Sequence, residues 1–280
     1  RNAVFSSHFC NKIYVSAISC NHCPTCISAI RKRTIRISGW VNGLYAKAFP
    51  GFLNRILFEL NIKSEKKILL HGWIIKKDMK NLPTIFYFGG NAEEVSLNIE
   101  DFEKRLHANV ILFNYRGYGL SSSKPSEFSL KNDSEKIYTQ MKEKFSLDSS
   151  KILVMGRSLG TGIATYLSVR KGITKTILIT PYESIKEVAY DYFPKLLVNF
   201  ILSDTYETIK ICEHLRNSVL LLVAENDEVI HPKHAEKLYG KIKCDKKLIR
   251  IKNSSHNDIS QKKQYWDELI KYLYKPLGET

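Results

Sequence analysis

The segment KILVMGRSLGTGIATYLSVRK, residues 151–171, carries the most structural information in this 280-residue sequence. Its first five residues form an apolar run typical of a buried strand, and residues 158–171 follow the 3.6-residue period of a helix. Between them lies Gly-Arg-Ser-Leu-Gly, a G-x-S-x-G pentapeptide in the strand–turn–helix context that a serine nucleophile requires. The segment therefore predicts a reactive Ser158 at the carboxyl end of a strand.

Each position of the pentapeptide has a physical reason. Because the turn is sharp, glycines at 156 and 160 avoid Cβ atoms that would clash with the neighbouring strand and helix. The turn exposes the Ser158 hydroxyl above the sheet, and the amide of Leu159, at the helix N-terminus, can stabilise a developing oxyanion. The alternative interpretation of the same pattern is a plain tight turn between a strand and a helix.

The alternation of strand-like and helix-like segments continues on both sides of this stretch. Apolar runs that indicate buried strands lie at 67–75, 84–88, 109–114, 151–155, 175–180, 218–224 and 247–251. Segments with helical periodicity lie between them, at 92–107, 129–145, 158–171, 183–201, 205–215, 232–241 and 260–274. This spacing predicts βαβ units. The fold class is therefore α/β, with a mostly parallel central sheet flanked by helices on both faces.

A serine hydroxyl needs a base, normally a histidine that a carboxylate orients. In a parallel sheet such groups collect in the loops at the carboxyl ends of the strands. The loop after 247–251 contains His256, which is the predicted general base. His231 and His234 flank the start of a predicted helix, so they are interpreted as a capping or surface pair.

The acid is expected in the ENDEVIHP loop that follows the run at 218–224. Asp227 is the preferred residue because a position a few residues past the strand end reaches the imidazole. Glu225 and Glu228 are the solvated alternatives. Asp258 lies too near His256 in sequence to be the orienting acid, although it could assist.

A second oxyanion donor is predicted in the loop after the run at 84–88. The sequence there is Gly89-Gly90-Asn91, and the glycines let the backbone approach a substrate carbonyl. An amide near Asn91 can then point at the oxyanion. A hairpin or a helix-entry turn is the alternative interpretation of these glycines.

Taken together, these residues resemble the α/β-hydrolase superfamily, over about residues 56–275. The resemblance is to the branch without a large cap domain, which includes serine-aminopeptidase-like hydrolases, bud-emergence-type proteins and protein depalmitoylases. The motifs that carry it are LHGW at 70–73, YFGGNAEEV at 87–95, NYRGYGLSS at 114–122, GRSLGTGIA at 156–164, TPYES at 180–184, VAENDEVIHP at 223–232 and SSHND at 254–258.

The resemblance implies a catalytic triad of Ser158, Asp227 and His256, with the amides of Asn91 and Leu159 as the oxyanion hole. The sequence departs from the branch at two positions. The branch usually has His-Gly-Asn where this chain has glycine at 89, and a glycine is common where this chain has Ala224. A backbone donor survives the first change, so altered support of the loop is expected. The second affects local geometry.

Charge is distributed unevenly along the chain. The formal net charge is +15, from 43 basic and 28 acidic residues, and residues 1–60 supply +7 of it with a single acid, Glu59. We therefore divide the chain into a basic N-terminal segment, 1–55, and a hydrolase domain, 56–280. The rest of the charge is interspersed, so no nucleic-acid partner is expected. Peripheral membrane contact through the basic segment is a possible second interaction, and the oligomeric state is left open.

The N-terminal segment also contains four of the six cysteines: Cys10, Cys20, Cys23 and Cys26. Three interpretations stay open: a metal site with an uncommon spacing, lipidation beside basic residues, and cysteines in a tail without a special role. The segment is also rich in Arg and Ser, as organelle-targeting segments are. Since no signal-peptide pattern is visible, we expect an intracellular protein, cytoplasmic or peripherally membrane-associated, and not a secreted one.

No cofactor and no metal are expected in the hydrolase region. It has no H-E-x-x-H or comparable ligand set, and the Gly117 and Gly119 of NYRGYG lack the third glycine of a phosphate-binding loop. No run of 18 apolar residues suggests a membrane span.

The predicted function is therefore a serine hydrolase that cleaves carboxylic esters or thioesters, small or lipid-like, through an acyl-enzyme. The apolar residues between 190 and 201 are interpreted as core packing or, alternatively, as the lining of an open acyl pocket. They are Tyr190, Tyr192, Phe193, Leu196, Leu197, Phe200 and Ile201. Two other functions stay open: an aminopeptidase-like amide hydrolase and a non-catalytic binding module with the hydrolase fold.

Overall fold

The computed structural model describes residues 40–41, 44–45, 56–65, 67–216 and 218–274. Nearly all of the predicted segment 1–55, with its four cysteines, lies outside these residues. Within it, two short strands, β1 (Trp40–Val41) and β2 (Leu44–Tyr45), form an antiparallel pair.

An eight-stranded sheet forms the centre of the fold, in the order β10-β9-β8-β7-β5-β6-β4-β3. Strands β5 to β10 run parallel, and β3 and β4 are antiparallel to their neighbours. This confirms the predicted mostly parallel sheet. The strands are β3 (Ile56–Glu65), β4 (Ile68–Lys76), β5 (Thr84–Phe88), β6 (Asn109–Phe113), β7 (Ile152–Arg157), β8 (Lys175–Ile179), β9 (Ser218–Ala224) and β10 (Lys246–Ile251).

Strand β3 was not predicted, and the reason is its place at the edge of the sheet. Leu60, Ile62 and Ser64 are buried, whereas Lys63 and Glu65 between and after them are exposed. An edge strand with one buried face alternates in polarity, so it lacks the continuous apolar run by which the other strands were found.

Helices cover both faces of the sheet, as predicted. Residues of α2, α3 and α7 join the core on one face, and residues of α1 and α8 join the core on the other. The helices are α1 (Ile99–Arg105), α2 (Glu127–Phe145), α3 (Leu159–Lys171), α4 (Ile185–Tyr190), α5 (Lys195–Ile201), α6 (Thr208–Ile211), α7 (Pro232–Lys241) and α8 (Lys263–Tyr274), with short 3-10 turns beside α1, α6 and α8 and before β7.

The connection between β8 and β9 corrects one expectation. The segment 183–201 was predicted as one helix, but it forms α4 and α5, which are separated at Pro194. A proline has no backbone N–H and therefore starts a new helix more readily than it continues one. Between β8 and β9 the described residues form short helices and no large cap domain.

Candidate active site

Ser158 lies in the sharp turn between β7 and α3, with φ +50° and ψ −119°. This backbone conformation is strained for a residue with a side chain, and the hydrogen bond from the Ser158 amide to Ile179 O (2.8 Å) helps to hold it. A Cβ on Gly156 would collide with the carbonyl of Gly160, and one on Gly160 would collide with the carbonyl of Phe88. Both glycines are therefore required by close backbone contacts.

A hydrogen-bonded relay connects the three residues of the predicted triad. His256 Nε2 lies 3.1 Å from Ser158 Oγ, and His256 Nδ1 lies 2.8 Å from Asp227 Oδ2 and 3.0 Å from its Oδ1. His256 and Asp227 are buried, at 6% and 3% exposure. An imidazole that donates from Nδ1 to a carboxylate presents an unprotonated Nε2 to the serine hydroxyl, which is the tautomer a general base needs.

The Asp227 carboxylate is fixed by its own loop. Its Oδ1 accepts hydrogen bonds from the amides of Val229 (2.9 Å) and Ile230 (2.7 Å). These bonds keep the carboxylate turned toward the imidazole without consuming the Oδ2 contact.

The alternative carboxylates near the relay accept hydrogen bonds from the loop that carries His256. Glu225 Oε2 accepts from the Asn253 amide (2.8 Å), Glu228 Oε2 from the His256 amide (3.3 Å) and Asp258 Oδ1 from the Ser255 amide (2.6 Å). All three therefore support the backbone around the imidazole and do not contact its ring nitrogens.

The interpretation of His234 as a capping or surface residue is wrong. Its side chain is about 1% exposed, with Nδ1 2.6 Å from Glu183 Oε2 and Nε2 2.8 Å from Asp191 Oδ2. Burial lowers the pKa of His234, but the hydrogen bonds to the two carboxylates outweigh burial and raise the pKa above its ordinary 6.5. This ion cluster ties α7 to the segment that contains α4. His231, in contrast, stacks on the ring of Tyr192.

The predicted oxyanion donors both line the pocket beside Ser158. Leu159 is the first residue of α3, so its amide is one of those that a helix leaves without an intrahelical acceptor. In the opposite loop, the amide of Gly90 donates to Glu93 Oε2 (2.6 Å), and the predicted donor Asn91 is the next residue along the chain. The Asn91 side chain accepts from Tyr118 Oη (2.7 Å).

Sequence reasoning missed the carboxylate that organises this loop. Beside the Gly90 amide, Glu93 accepts hydrogen bonds from Tyr87 Oη (2.6 Å), Asn98 Nδ2 (2.8 Å) and Arg157 Nη1 (2.9 Å). Glu93 therefore supports the loop in which glycine at 89 replaces the histidine that is usual in the branch. A signal was present, since an acid follows the glycine pair by three residues.

Arg157, the residue directly before the predicted nucleophile, was also missed. Its Nη2 donates to the carbonyl of His256 (3.2 Å) and to Asn257 Oδ1 (3.3 Å), while its Nη1 pairs with Glu93. Arg157 thus connects the loop of the predicted oxyanion donor to the loop of the predicted base.

The pocket above Ser158 has an apolar wall and an open mouth. The wall consists of Ile185 and Val188 from α4 with Val229 and Ile230 from the loop of Asp227. The apolar residues of the following segment do not line it, and several are exposed instead of packed in the core. The proposed pocket lining from 190–201 is therefore wrong for the described pocket, although α4 does contribute.

The structure also shows the surroundings of Arg116 and bears on metal ligands and membrane-spanning helices. Arg116 donates to Asp133 (2.7 and 2.8 Å) and Glu65 (2.7 Å), so it anchors its glycine-containing loop to α2 and β3. In the part of the chain that the structure describes, no group of three His, Cys, Asp or Glu side chains is arranged to hold a metal ion. Among those same residues, no helix has the length and apolar character needed to span a bilayer.

Comparison with known proteins shows which family the chain resembles. A family model for the alpha/beta hydrolase fold matches residues 68–195. The protein WAV2 of Arabidopsis thaliana, named an alpha/beta hydrolase domain-containing protein, is 27% identical over 252 residues, with 81% of each chain covered. The chain is similar to members of the α/β-hydrolase superfamily. Protein bem46 of Schizosaccharomyces pombe is 27% identical to this hydrolase, with 80% of this chain and 79% of bem46 covered.

Two solved esterase structures have the same fold as this chain. Acetyl xylan esterase 1 from Thermoanaerobacterium sp. superposes with a TM-score of 0.65 at 16% identity, covering 83% of the hydrolase and 87% of the esterase. An esterase of Pyrococcus furiosus superposes with a TM-score of 0.64 at 16% identity, covering 84% and 98%. The predicted fold and the predicted resemblance to the superfamily and its branch without a large cap domain are confirmed.

Proposed function

We propose that this hydrolase is a serine esterase or thioesterase that works through an acyl-enzyme. The observation that carries the proposal is the continuous relay from Asp227 through His256 to Ser158 Oγ at hydrogen-bond distances. Such a relay beside an apolar pocket fits attack on the carbonyl of an acyl ester or thioester.

The first half of the reaction forms the acyl-enzyme. Ser158 Oγ attacks the carbonyl carbon as His256 Nε2 takes the hydroxyl proton, and the Asp227 carboxylate stabilises the resulting imidazolium. The carbonyl oxygen becomes an oxyanion, which the amides of Asn91 and Leu159 stabilise. His256 then returns the proton to the leaving alcohol or thiol as the bond to the acyl carbon breaks.

The second half uses the same groups on water. His256 Nε2 takes a proton from a water molecule that attacks the acyl-enzyme, and the same amides stabilise the second oxyanion. Collapse of this intermediate releases the carboxylic acid as the proton returns to Ser158 Oγ.

The pocket lining favours acyl substrates over aminopeptidase substrates. An aminopeptidase needs a negative group near the cleaved bond to hold the substrate's free amino terminus. Among the described residues that line the pocket, none is an Asp or a Glu, and five are aliphatic: Leu159, Ile185, Val188, Val229 and Ile230.

A fluorophosphonate probe tests the nucleophile. The folded protein should be labelled, and Ser158→Ala should lose the label, because the probe reacts with activated serine hydroxyls. Ser203→Ala, an exposed serine in the loop after α5, is the matched control and should label fully. Absence of labelling in the folded wild type, or equal labelling of Ser158→Ala, would exclude the mechanism and favour a non-catalytic module.

The substrate class is tested separately. Oxyesters and thioesters of increasing acyl length should be cleaved faster than aminoacyl anilides, and the acyl lengths that fit the aliphatic wall should show the highest kcat/KM. Faster cleavage of the anilides would reverse the ranking.

A further inference from the structure

Exposed apolar side chains gather on one edge of this hydrolase. Among the residues that the structure describes, the large exposed ones are Leu69, Leu97, Leu120, Phe128, Tyr192, Leu196, Leu197, Phe200, Ile201 and Tyr274. All except Tyr274 belong to segments at the carboxyl ends of the parallel strands, which is the edge that carries Ser158. Tyr274 lies at the opposite edge, where its hydroxyl contacts His107 O.

Helix α5 provides the most exposed part of this edge. Phe200 is 91% exposed, Leu196 83% and Ile201 62%, whereas Val198 is the buried residue of the helix. A surface helix normally turns its apolar side chains toward the core. We call Leu196, Leu197, Phe200 and Ile201 the α5 patch. Its exposure is the reverse of the normal pattern, and contiguous exposed apolar surface marks an interaction site.

The α5 patch adjoins the mouth of the pocket. Helix α5 follows α4, whose Ile185 and Val188 line the pocket wall. Between the two helices, Tyr192 Oη donates to the carbonyls of Glu228 (2.7 Å) and Val229 (3.0 Å), in the loop that carries Asp227. The patch is therefore held close to the entrance through which a substrate reaches Ser158.

The charge and composition of the patch identify its partner. The run YFPKLLVNFILS, residues 192–203, contains one charged residue, Lys195, and no acid. Of Trp, Tyr and Arg, the residues that most often dominate the energy of protein–protein interfaces, it contains Tyr192 alone, and the Tyr192 hydroxyl is bonded to the loop of Asp227. Leu, Phe and Ile suit the boundary between headgroups and acyl chains of a bilayer, and a lysine beside them suits the phosphates.

We propose that this hydrolase docks on a phospholipid bilayer by inserting the α5 patch, so that acyl substrates enter the pocket from the lipid side. The lipid route to Ser158 rests on the proposed function, whereas the docking itself does not require catalysis. In the protein, the Lys195 ammonium lies 5.5 Å from the centre of the Tyr190 ring. In the docked state, Lys195 would remain at the level of the lipid phosphates.

Vesicle binding tests the docking with the full chain. Ser158→Ala is used throughout, so that the result does not depend on hydrolysis. It should bind vesicles of pure phosphatidylcholine at about 1 M NaCl, where the Debye length of about 3 Å suppresses binding through the basic N-terminal segment. Adding Leu196→Ser and Phe200→Ser should weaken partitioning at least about tenfold, since two large apolar side chains no longer insert. Both positions are exposed, and a melting curve checks that the variant stays folded.

Depth is measured with a tryptophan at the patch. Phe200→Trp should show a blue-shifted emission on vesicles and quenching by brominated acyl chains. Tyr274→Trp at the opposite edge is the matched control and should be quenched clearly less.

Three results would overturn the proposal. The first is binding that occurs on anionic vesicles alone and disappears with salt, which would assign the contact to the basic segment. The second is equal binding, or equal quenching, of the patch and control variants. The third is a dimer that the serine substitutions dissociate in light scattering, with no vesicle binding, which would make the patch a contact between two copies. A failure of fluorophosphonate labelling, in contrast, would leave the docking result intact.

Discussion

Two turns face each other across the position where the chemistry is proposed, and they are held in different ways. The nucleophile turn, 156–160, is held by backbone packed so closely that Gly156 and Gly160 have no room for a Cβ. The predicted oxyanion loop, 89–93, is held by side-chain hydrogen bonds that converge on Glu93.

The difference lies in what each arrangement requires of the sequence. Close packing needs small residues at fixed spacing within five positions, which is a local pattern. The Glu93 network needs partners on three other segments, among them Arg157, which is 64 residues away along the chain. We therefore expect the first turn to fail sterically and completely, and the second to fail gradually, one hydrogen bond at a time.

The largest effect is expected from Gly160→Ala. The new methyl group would overlap the carbonyl of Phe88, so folding should lose about 3 kcal/mol and esterase activity should disappear. Gly240→Ala is the control, because no atom lies within 4 Å of its Cβ position in α7, and it should stabilise the protein by about 0.5–1 kcal/mol. Urea unfolding measures both, and a stable, active Gly160→Ala would show that the backbone contact is not limiting.

A smaller effect on catalysis is expected from Glu93→Gln. Loss of the carboxylate should lower kcat about a hundredfold and change KM little, because the proposed role of the oxyanion loop is in the transition state. Arg157→Met should act through the same network. Their effects should therefore fall short of additive in the double variant, by about 1–2 kcal/mol in activation free energy. Independent effects that simply multiply would show that Glu93 and Arg157 do not act as a unit.

A second polar network, the ion cluster around His234, should make stability depend on pH, whereas close packing of the glycine turn should not. Since the pKa of His234 is raised in the folded state, its stabilisation is complete below the ordinary pKa of 6.5 and is lost as the pH rises through the folded value. Glu183 and Asp191 face the imidazole, and Lys233 and Lys237 pair with these carboxylates.

The measurement is the free energy of unfolding in urea between about pH 6 and pH 9. Wild type should lose stability as the pH rises. His234→Gln should be about 2 kcal/mol less stable at the acidic end and should show a smaller slope. Identical slopes would mean that His234 stays neutral in the folded protein.

The smallest effect is expected from Tyr118→Phe. It removes the hydrogen bond to Asn91 Oδ1 (2.7 Å) and should lower kcat about fivefold, the amount of a single hydrogen bond. Tyr274→Phe, which removes a hydroxyl bonded to His107 O far from the site, should leave kcat unchanged. If Tyr118→Phe lowered kcat no more than Tyr274→Phe, the hydrogen bond from Tyr118 to Asn91 would not matter for catalysis.

How much of the fold could be predicted depended on burial. Strands buried on both faces, such as β5 and β9, were predicted at their observed bounds because a continuous apolar run has one interpretation there. Strand β3 was not predicted because buried and exposed side chains alternate along an edge strand. The division of 183–201 at Pro194 was visible in the sequence, but helical periodicity on both sides outweighed it.

The site divides in the same manner. Ser158, Asp227 and His256 could be proposed because each follows a strand and their chain order fits, and the structure brings them together; their catalytic roles stay predictions for the labelling experiment. Arg157 and the burial of His234 could not be predicted, because each depends on partners from distant segments, 43 or more residues away for His234, and single residues carry no trace of such pairings. Glu93 left a local signal, an acid three residues after the glycine pair, but its bond to Arg157 joins positions 64 residues apart.

The placement of Ser158 on a central strand and His256 beyond the edge strand β10 has a consequence for biosynthesis. The two residues are 98 positions apart along the chain, and His256 follows β10, which is joined to β7 in the sheet through β9 and β8. A nascent or truncated chain that lacks β10 would contain the nucleophile without its base. Turnover should therefore start only when the last strand joins the sheet, so that during refolding the appearance of activity is a direct clock for the completion of the fold.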